Sequence, residues 1–164
     1  MNMDRKTFPS SGHDHRACVE SALRDAEQLC HRQGLRLTPI RRRVLELIWQ
    51  SHRPSGAYEL LEQLATEGHK PSPPTVYRAL DFLLDNTLIH RVSSRNAFVG
   101  CTHPGDEHMA QLFICDHCGI AVEQADASLN RHIRHNAQDL QFRIRTQTVE
   151  LAGLCPRCSD ADGR

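Results

Sequence analysis

Four cysteines in two identically spaced pairs form the strongest chemical pattern in the sequence. The pairs are Cys115-x-x-Cys118 and Cys155-x-x-Cys158, with 36 residues between them. Together they offer four thiolates, which suits the tetrahedral coordination of structural zinc. The alternative is a set of unliganded or redox-active thiols. Because the spacing is wider than in a simple zinc ribbon, we expect zinc to join both ends of one folded unit.

A second group of potential ligands is more loosely spaced. It combines histidine, cysteine and carboxylate side chains and comprises His90, Cys101, His103, Asp106, Glu107, His108 and Glu123. Such side chains can form a mixed metal site, but a solvated loop is the simpler explanation in a chain with 11 histidines. His90 belongs to the first half of the chain and Glu123 to the second. A metal bound by both would fix one half against the other, as a switch requires.

The first half of the chain is predicted to contain four helices, which help to position these residues. The first spans residues 14–33 and stops at Gly34. Thr38-Pro39 and Ser72-Pro73 each place an N-cap hydroxyl before proline at the first helical position, and Ser55 is expected to cap the helix between them. Helical spacing predicts three buried faces, which are Ile40, Val44, Leu47 and Ile48; Leu60, Leu61 and Leu64; and Val76, Leu80, Leu83 and Leu84.

Strand periodicity replaces helical periodicity after residue 87. Residues 88–92 and 97–101 predict a hairpin, and helices followed by a hairpin are the order of a winged helix-turn-helix. In the second half, strands are predicted over 111–115 and 120–123, and a half-exposed strand over 142–148. Asp126 is expected to cap a helix whose apolar face comprises Leu129, Ile133, Ala137 and Leu140. The predicted fold class is α+β.

Composition sets broad limits on function. The net charge is zero, but residues 1–100 carry 14 basic and 11 acidic side chains, so the first half is slightly basic. No apolar run approaches the length of a membrane span, and no secretory signal follows Arg5 and Lys6. We therefore expect a cytoplasmic protein, in which clustered cysteines are metal ligands more often than disulfides.

Three longer motifs together resemble the Fur superfamily of metal-responsive repressors, and within it the zinc uptake regulators. They are Leu37-Thr38-Pro39-Ile40-Arg41, Pro74-Thr75-Val76-Tyr77-Arg78-Ala79-Leu80-Asp81-Phe82-Leu83 and Phe113-Ile114-Cys115-Asp116-His117-Cys118-Gly119. The resemblance covers roughly residues 20–158. It implies a homodimer that represses zinc-uptake genes by binding pseudo-palindromic operators. It also implies two zinc ions per subunit and no enzymatic activity.

The resemblance also implies the domain plan and the site residues. A disordered tail over 1–13 precedes a winged-helix DNA-binding domain over 14–96, with a hinge at about 93–103. A dimerisation and metal-binding domain over 97–158 and a tail over 159–164 follow. The implied structural zinc ligands are Cys115, Cys118, Cys155 and Cys158, and the implied regulatory zinc ligands are His90, Cys101, His108 and Glu123. The expected DNA-binding residues are Tyr58, Thr75, Tyr77, Arg78 and Arg41.

Several alternatives stay open at this point. Arg78 could be a solvated helix residue, Tyr77 a core residue and Arg41–Arg43 a solvated face. His103 could replace His108 as a ligand. A Fur-fold sensor of iron, nickel or peroxide is the main alternative function, although a thiolate at Cys101 favours zinc over ferrous iron. A zinc enzyme is a further alternative, but it needs an open coordination position, and the second group already offers four ligands. A zinc adaptor that binds no DNA would not explain the helices that start at Pro39 and Pro73.

Overall fold

The computed structural model describes residues 7–10, 12–68, 70–106 and 108–162. Contacts between residues divide the chain into an N-terminal unit, Pro9–Gly105, and a C-terminal unit that begins at Asp106 and includes Phe8. This division falls later than the predicted boundary between residues 96 and 97, because the strand that starts at Ala97 pairs within the N-terminal unit. Within the described residues, no helix is long and apolar enough to cross a membrane.

The N-terminal unit contains four helices around one apolar core. The carboxylate of Asp14 caps the first helix by accepting the N–H of Arg16 at 2.9 Å. Gly34 ends that helix in the left-handed conformation, with φ 66°. Each of the predicted proline starts is confirmed. The helices are α1 (His15–Gln33), α2 (Pro39–Trp49), α3 (Ala57–Thr66) and α4 (Pro73–Asp85).

A three-stranded sheet completes this unit. Its strands are β1 (Ser55–Gly56), β2 (Ile89–Val92) and β3 (Ala97–Gly100), arranged in the order β1-β3-β2 with antiparallel pairing. Strands β2 and β3 are the predicted hairpin. The prediction that Ser55 caps α3 was wrong, because Ser55 is buried and pairs with Phe98, and Gly56 takes the N-cap position. Pairing with a distant strand overrides the local capping preference of serine.

The C-terminal unit is built on a second three-stranded sheet. Its strands are β4 (Ala110–Cys115), β5 (Ala121–Gln124) and β6 (Thr148–Gly153), and its helices are α5 (Ala127–Asp139) and α6 (Pro156–Asp162). Central strand β4 pairs antiparallel with β5 and parallel with β6. Asp126 caps α5 as predicted, since its carboxylate accepts the N–H of Ser128 at 2.6 Å.

One prediction for this unit was wrong. The alternating residues 142–147 are not a strand, and the last strand starts at Thr148 because its register is set by parallel pairing with β4. The apolar face of α5 is largely exposed in the single chain. Only Ala137 is buried, whereas the exposed fractions of Leu129 and Leu140 are 36% and 77%.

Candidate metal centre and nucleic-acid interface

The fold brings the two cysteine pairs together. Cys115 ends β4, and Cys155 follows the end of β6. Because β4 and β6 are parallel, with Cys115 opposite Gly153, both strands end at the same edge of the sheet. Cys118 lies on the tight turn after β4, and Cys158 lies in the first turn of α6.

The geometry of these four thiols matches a tetrahedral zinc site. All four Sγ atoms lie within 4.8 Å of one another, and those of Cys118 and Cys155 are 3.7 Å apart. Zinc–sulfur bonds of about 2.3 Å in a tetrahedron require sulfur–sulfur distances of about 3.8 Å. Disulfide sulfurs would be only about 2.05 Å apart, and none of the seven cysteines forms a disulfide. The donor set therefore fits zinc.

Backbone hydrogen bonds favour the negatively charged thiolate form of Cys115 in particular. The backbone N–H groups of Cys118 and Cys155 donate to Sγ of Cys115 at 3.5 and 3.4 Å. These hydrogen bonds lower the pKa of Cys115 to about 6. Burial and the neighbouring thiols raise the pKa of Cys158 to about 12. A divalent cation is what allows four crowded thiols to lose their protons together.

In the N-terminal unit, His90 and Cys101 form a pair of potential ligands. His90 lies in β2 opposite Val99, and Cys101 immediately follows β3. The backbone N–H of Cys101 donates to the carbonyl of Leu88 at 3.0 Å, which holds Cys101 beside the hairpin. A ring nitrogen of His90 and Sγ of Cys101 lie within 4.8 Å. The buried Cys101 thiol and the imidazole are thus close enough to bind one ion.

His103 occupies a different environment from this pair. Its ring Nδ1 lies 2.9 Å from the hydroxyl of Thr102, and its side chain is exposed. Its backbone N–H donates to Sγ of Cys101 at 3.4 Å. Glu107 lies outside the described residues.

In the C-terminal unit, His108 and Glu123 form a second buried pair. Nε2 of His108 is 2.7 Å from Oε1 of Glu123, and the exposed fractions of these side chains are 8% and 2%. The hydrogen bond to Glu123 raises the pKa of His108. On the other side of the ring, Nδ1 is 2.9 Å from the carbonyl of Asp106. A carbonyl can only accept, so Nδ1 carries a proton, and a cation bound by this pair would replace the proton between Nε2 and Glu123.

Three of the predicted DNA-contacting residues, Tyr58, Tyr77 and Arg78, are exposed on the N-terminal unit, whereas Thr75 and Arg41 are half-buried. Tyr77 and Arg78 lie on the solvent side of α4, opposite buried Val76, Ala79 and Leu80. Tyr77 is 43% exposed, so it is not a core residue, and Tyr58 at the start of α3 is 70% exposed. The hydroxyl of Thr75 lies 3.0 Å from that of Ser72 at the start of α4.

The arginines at the start of α2 are largely engaged within the protein. The guanidinium of Arg41 lies 3.7 Å from the centre of the Phe82 ring and donates to the carbonyl of Arg36 at 2.7 Å. Arg42 pairs with Glu27, and Arg43 pairs with Glu46 and Glu67. Those acidic partners raise the pKa of Arg43. These contacts leave less positive charge for a phosphate backbone than the run of three arginines predicts.

Two further arginines in the hairpin were missed by sequence reasoning. Arg91 and Arg95 line one surface groove together with Tyr58 and Tyr77. Arg91 lies in β2 and donates to the side chain of Asn96 at 3.2 Å. The sequence signal was available, because basic residues flank the turn of a predicted wing, where they can reach a DNA backbone.

The sequence model of the ferric uptake regulator family matches residues 32–152. The chain belongs to this family. Among family members, the zinc uptake regulation protein of Escherichia coli (strain K12) is 36% identical over 146 residues, which cover 88% of this chain and 85% of that protein.

Two solved structures of family members resemble the chain closely. A zinc uptake regulator complexed with zinc and DNA has 35% sequence identity and a TM-score of 0.84, covering 89% of this chain and 98% of that one. The holo form of XcZur has 44% identity and a TM-score of 0.79, covering 85% and 98%. The mixed helix and sheet architecture, with its four-cysteine cluster in the C-terminal unit, is therefore the fold of this family.

Proposed function

We propose that this protein is a zinc-responsive, DNA-binding repressor of zinc-uptake genes. The observation that carries the proposal is its likeness to zinc uptake regulators, at 36% identity over most of the chain and a TM-score of 0.84 to a member bound to zinc and DNA. The thiolate donor at Cys101 agrees with zinc as the metal that is sensed.

The first zinc ion in this proposal is structural. Its ligands are Cys115, Cys118, Cys155 and Cys158. The sulfur–sulfur distance of 3.7 Å between Cys118 and Cys155 supports this assignment. The four cysteines occupy every position of a tetrahedron, so the site has no open position for catalysis.

The second zinc ion is regulatory, and we assign it to His90, Cys101, His108 and Glu123. Support comes from the two pairs considered separately, since each holds two donors of the types that zinc accepts. It also comes from the match of these positions to the pattern of zinc uptake regulators. Two zinc ions per subunit follow, and we assign the hinge to the part of the segment at about 93–103 that follows β3, because Ala97–Gly100 is paired in the sheet. His103 is not a ligand in this proposal, because its exposed ring lies beside Thr102.

Zinc would act by favouring one arrangement of the dimer over others. One zinc ion would be shared by ligands from the winged helix and ligands from the C-terminal unit. Sharing the ion would restrict motion about the hinge. A shift from almost entirely open to almost entirely closed takes about 5.5 kcal/mol of differential affinity. Structural zinc sites bind with about 10–16 kcal/mol, so a four-ligand site has enough free energy for the shift.

The closed dimer would present α4 of each subunit to one half-site of a pseudo-palindromic operator. Arg78 is exposed on that helix and has the geometry to bind guanine O6 and N7 together. Tyr58, Thr75 and Tyr77 are proposed to contact the DNA backbone, which fixes position without reading sequence. Arg41 is assigned a backbone contact as well, weakened by its stacking on Phe82.

The test is DNA binding measured by fluorescence anisotropy across buffered free zinc concentrations. The duplex is first selected in vitro by the zinc-loaded protein. The wild type is compared with Cys101→Ser and with His103→Ala, a matched control that changes a neighbouring histidine. We expect wild type and His103→Ala to bind only when zinc is available. Cys101→Ser should stay folded and dimeric but lose at least about tenfold in affinity, a change of about 1.4 kcal/mol.

Other outcomes would separate the parts of the proposal. Equal binding by wild type and Cys101→Ser at every zinc level would overturn the regulatory site. Loss of binding in His103→Ala alone would exchange His103 for one of the assigned ligands. Failure of the zinc-loaded protein to select any duplex would overturn the repressor function itself. A response to ferrous iron or nickel but not zinc would assign the protein to another kind of metal sensor.

A further inference from the structure

We infer a third zinc-binding site in the N-terminal unit, formed by His13, His15 and His52. None of these residues belongs to the two sites proposed above. All three lie within one unit, on the segment before α1, at the start of α1 and on the segment after α2.

The distances between these side chains are those of a ligand cluster. One ring nitrogen from each histidine lies within 4.8 Å of the others. Nε2 of His13 is 2.9 Å from Sγ of Cys18. The ring centres of His13 and His52 are 4.8 Å apart, and those of His15 and His52 are 4.7 Å apart. Three imidazoles, with a water molecule in the fourth position, make a donor set that zinc accepts.

The environment of His52 points to a ligand that is absent from the chain itself. Within the described part of the chain, Nε2 of His52 is buried and has no hydrogen-bond partner. A buried polar atom without a partner costs about 1–3 kcal/mol, and such atoms are rare in folded proteins. A metal ion coordinated by Nε2 would accept the lone pair of that nitrogen and so satisfy it.

The cluster holds no carboxylate within ligand distance, among the residues that the structure describes. The carboxylate of Asp14, which lies between His13 and His15 in the sequence, caps α1. Three imidazole rings that face one another in this way are more readily joined by a cation than by hydrogen bonds among themselves.

A metal at this site would tie the chain ahead of α1 to the end of α2. His13 lies before the helix, whereas His52 follows α2 three residues after Trp49. Zinc binding would therefore order the start of the N-terminal unit.

The test is a zinc titration of the untagged, full-length protein in competition with a chromophoric chelator. The wild type is compared with His15→Gln and His52→Gln. His15 is exposed, so its substitution leaves the fold unchanged and keeps the test valid if His52→Gln is destabilised. His31→Gln is the matched control, since His31 is an exposed histidine at the other end of the same helix.

We expect the wild type and His31→Gln to bind one zinc equivalent more than His15→Gln and His52→Gln, or to bind that equivalent at least about tenfold more tightly. Equal numbers and affinities in all four proteins would overturn the third site. All four proteins keep the ligands of the structural and regulatory sites. The comparison therefore does not depend on whether those two sites bind zinc.

Discussion

Gly100, the last residue of β3, lies directly against the indole ring of Trp49 at the end of α2. A β-carbon built on Gly100 would be 2.1 Å from Cε2 of that ring. Trp49 is only 6% exposed and is part of the core of the N-terminal unit. The close approach fixes the hairpin against α2 next to Cys101, and only glycine leaves room for it.

Gly100→Ala is expected to destabilise the N-terminal unit by about 1–3 kcal/mol, because the added methyl group forces the rigid indole out of place. Trp49 is the only tryptophan in the chain, so its fluorescence during urea unfolding reports on this unit. Gly153→Ala is the control, since Gly153 also ends a strand and has nothing within 4 Å of an added β-carbon. Equal unfolding midpoints for Gly100→Ala and wild type by fluorescence would contradict the prediction.

Cys118→Ala is expected to remove one zinc equivalent and to destabilise the C-terminal unit by much more than the roughly 1 kcal/mol of an average substitution. The reason is that the zinc site joins the ends of β4 and β6, and its binding free energy is folding free energy. Zinc content by mass spectrometry and thermal unfolding by circular dichroism provide the measurement. Cys30→Ala, at a buried cysteine of α1 outside the metal clusters, should keep the full zinc content. Unchanged zinc content in Cys118→Ala would remove this residue from the ligand set.

Arg78→Ala is expected to weaken DNA binding by about 1–3 kcal/mol and to relax sequence preference at one base pair. The unfolding midpoint should not change, because the side chain is exposed on α4.

Arg43→Ala is expected to lower stability rather than DNA affinity. It removes ion pairs with Glu46 and Glu67 and costs about 1 kcal/mol of stability or less, with little effect on affinity. Anisotropy titrations and urea unfolding on both variants test the pair, and equal DNA affinities for Arg78→Ala and wild type would exclude a base contact.

Leu140→Lys is expected to weaken dimerisation at least about tenfold. The large apolar side chains exposed on the C-terminal unit are Phe113, Leu129, Leu140, Phe142, Leu151 and Leu154. Phe113 and Leu151 are cross-strand partners on one face of the sheet, and such surfaces are typical of subunit interfaces. Analytical ultracentrifugation over a dilution series measures the change, with Gln138→Lys on the same helix as the control. A dimer of wild-type stability in Leu140→Lys would place the interface elsewhere.

The local elements of the fold follow closely from the sequence. Proline after a capping residue marks the starts of α2 and α4, and Gly34 marks the end of α1, because these residues restrict or permit particular backbone angles. The hairpin of β2 and β3 was equally predictable from its turn and its strand residues. Where a distant partner determines the structure, the same reasoning failed. Ser55 pairs with Phe98 instead of capping α3, and the last strand starts at Thr148, where it pairs with Ala110.

The chemistry available to this protein is readable from its residue types and spacings. Two CxxC pairs already specify four thiolates, because ligand identity is a property of the side chains. Which side chains meet is a property of the folded chain. Parallel pairing of β4 with β6 brings Cys115 beside Cys155, and the packing of α1 against the end of α2 brings His13 beside His52. Folding also pairs Arg43 with Glu67. Contacts between residues this far apart in sequence depend on the whole core, and no local pattern of residues encodes them.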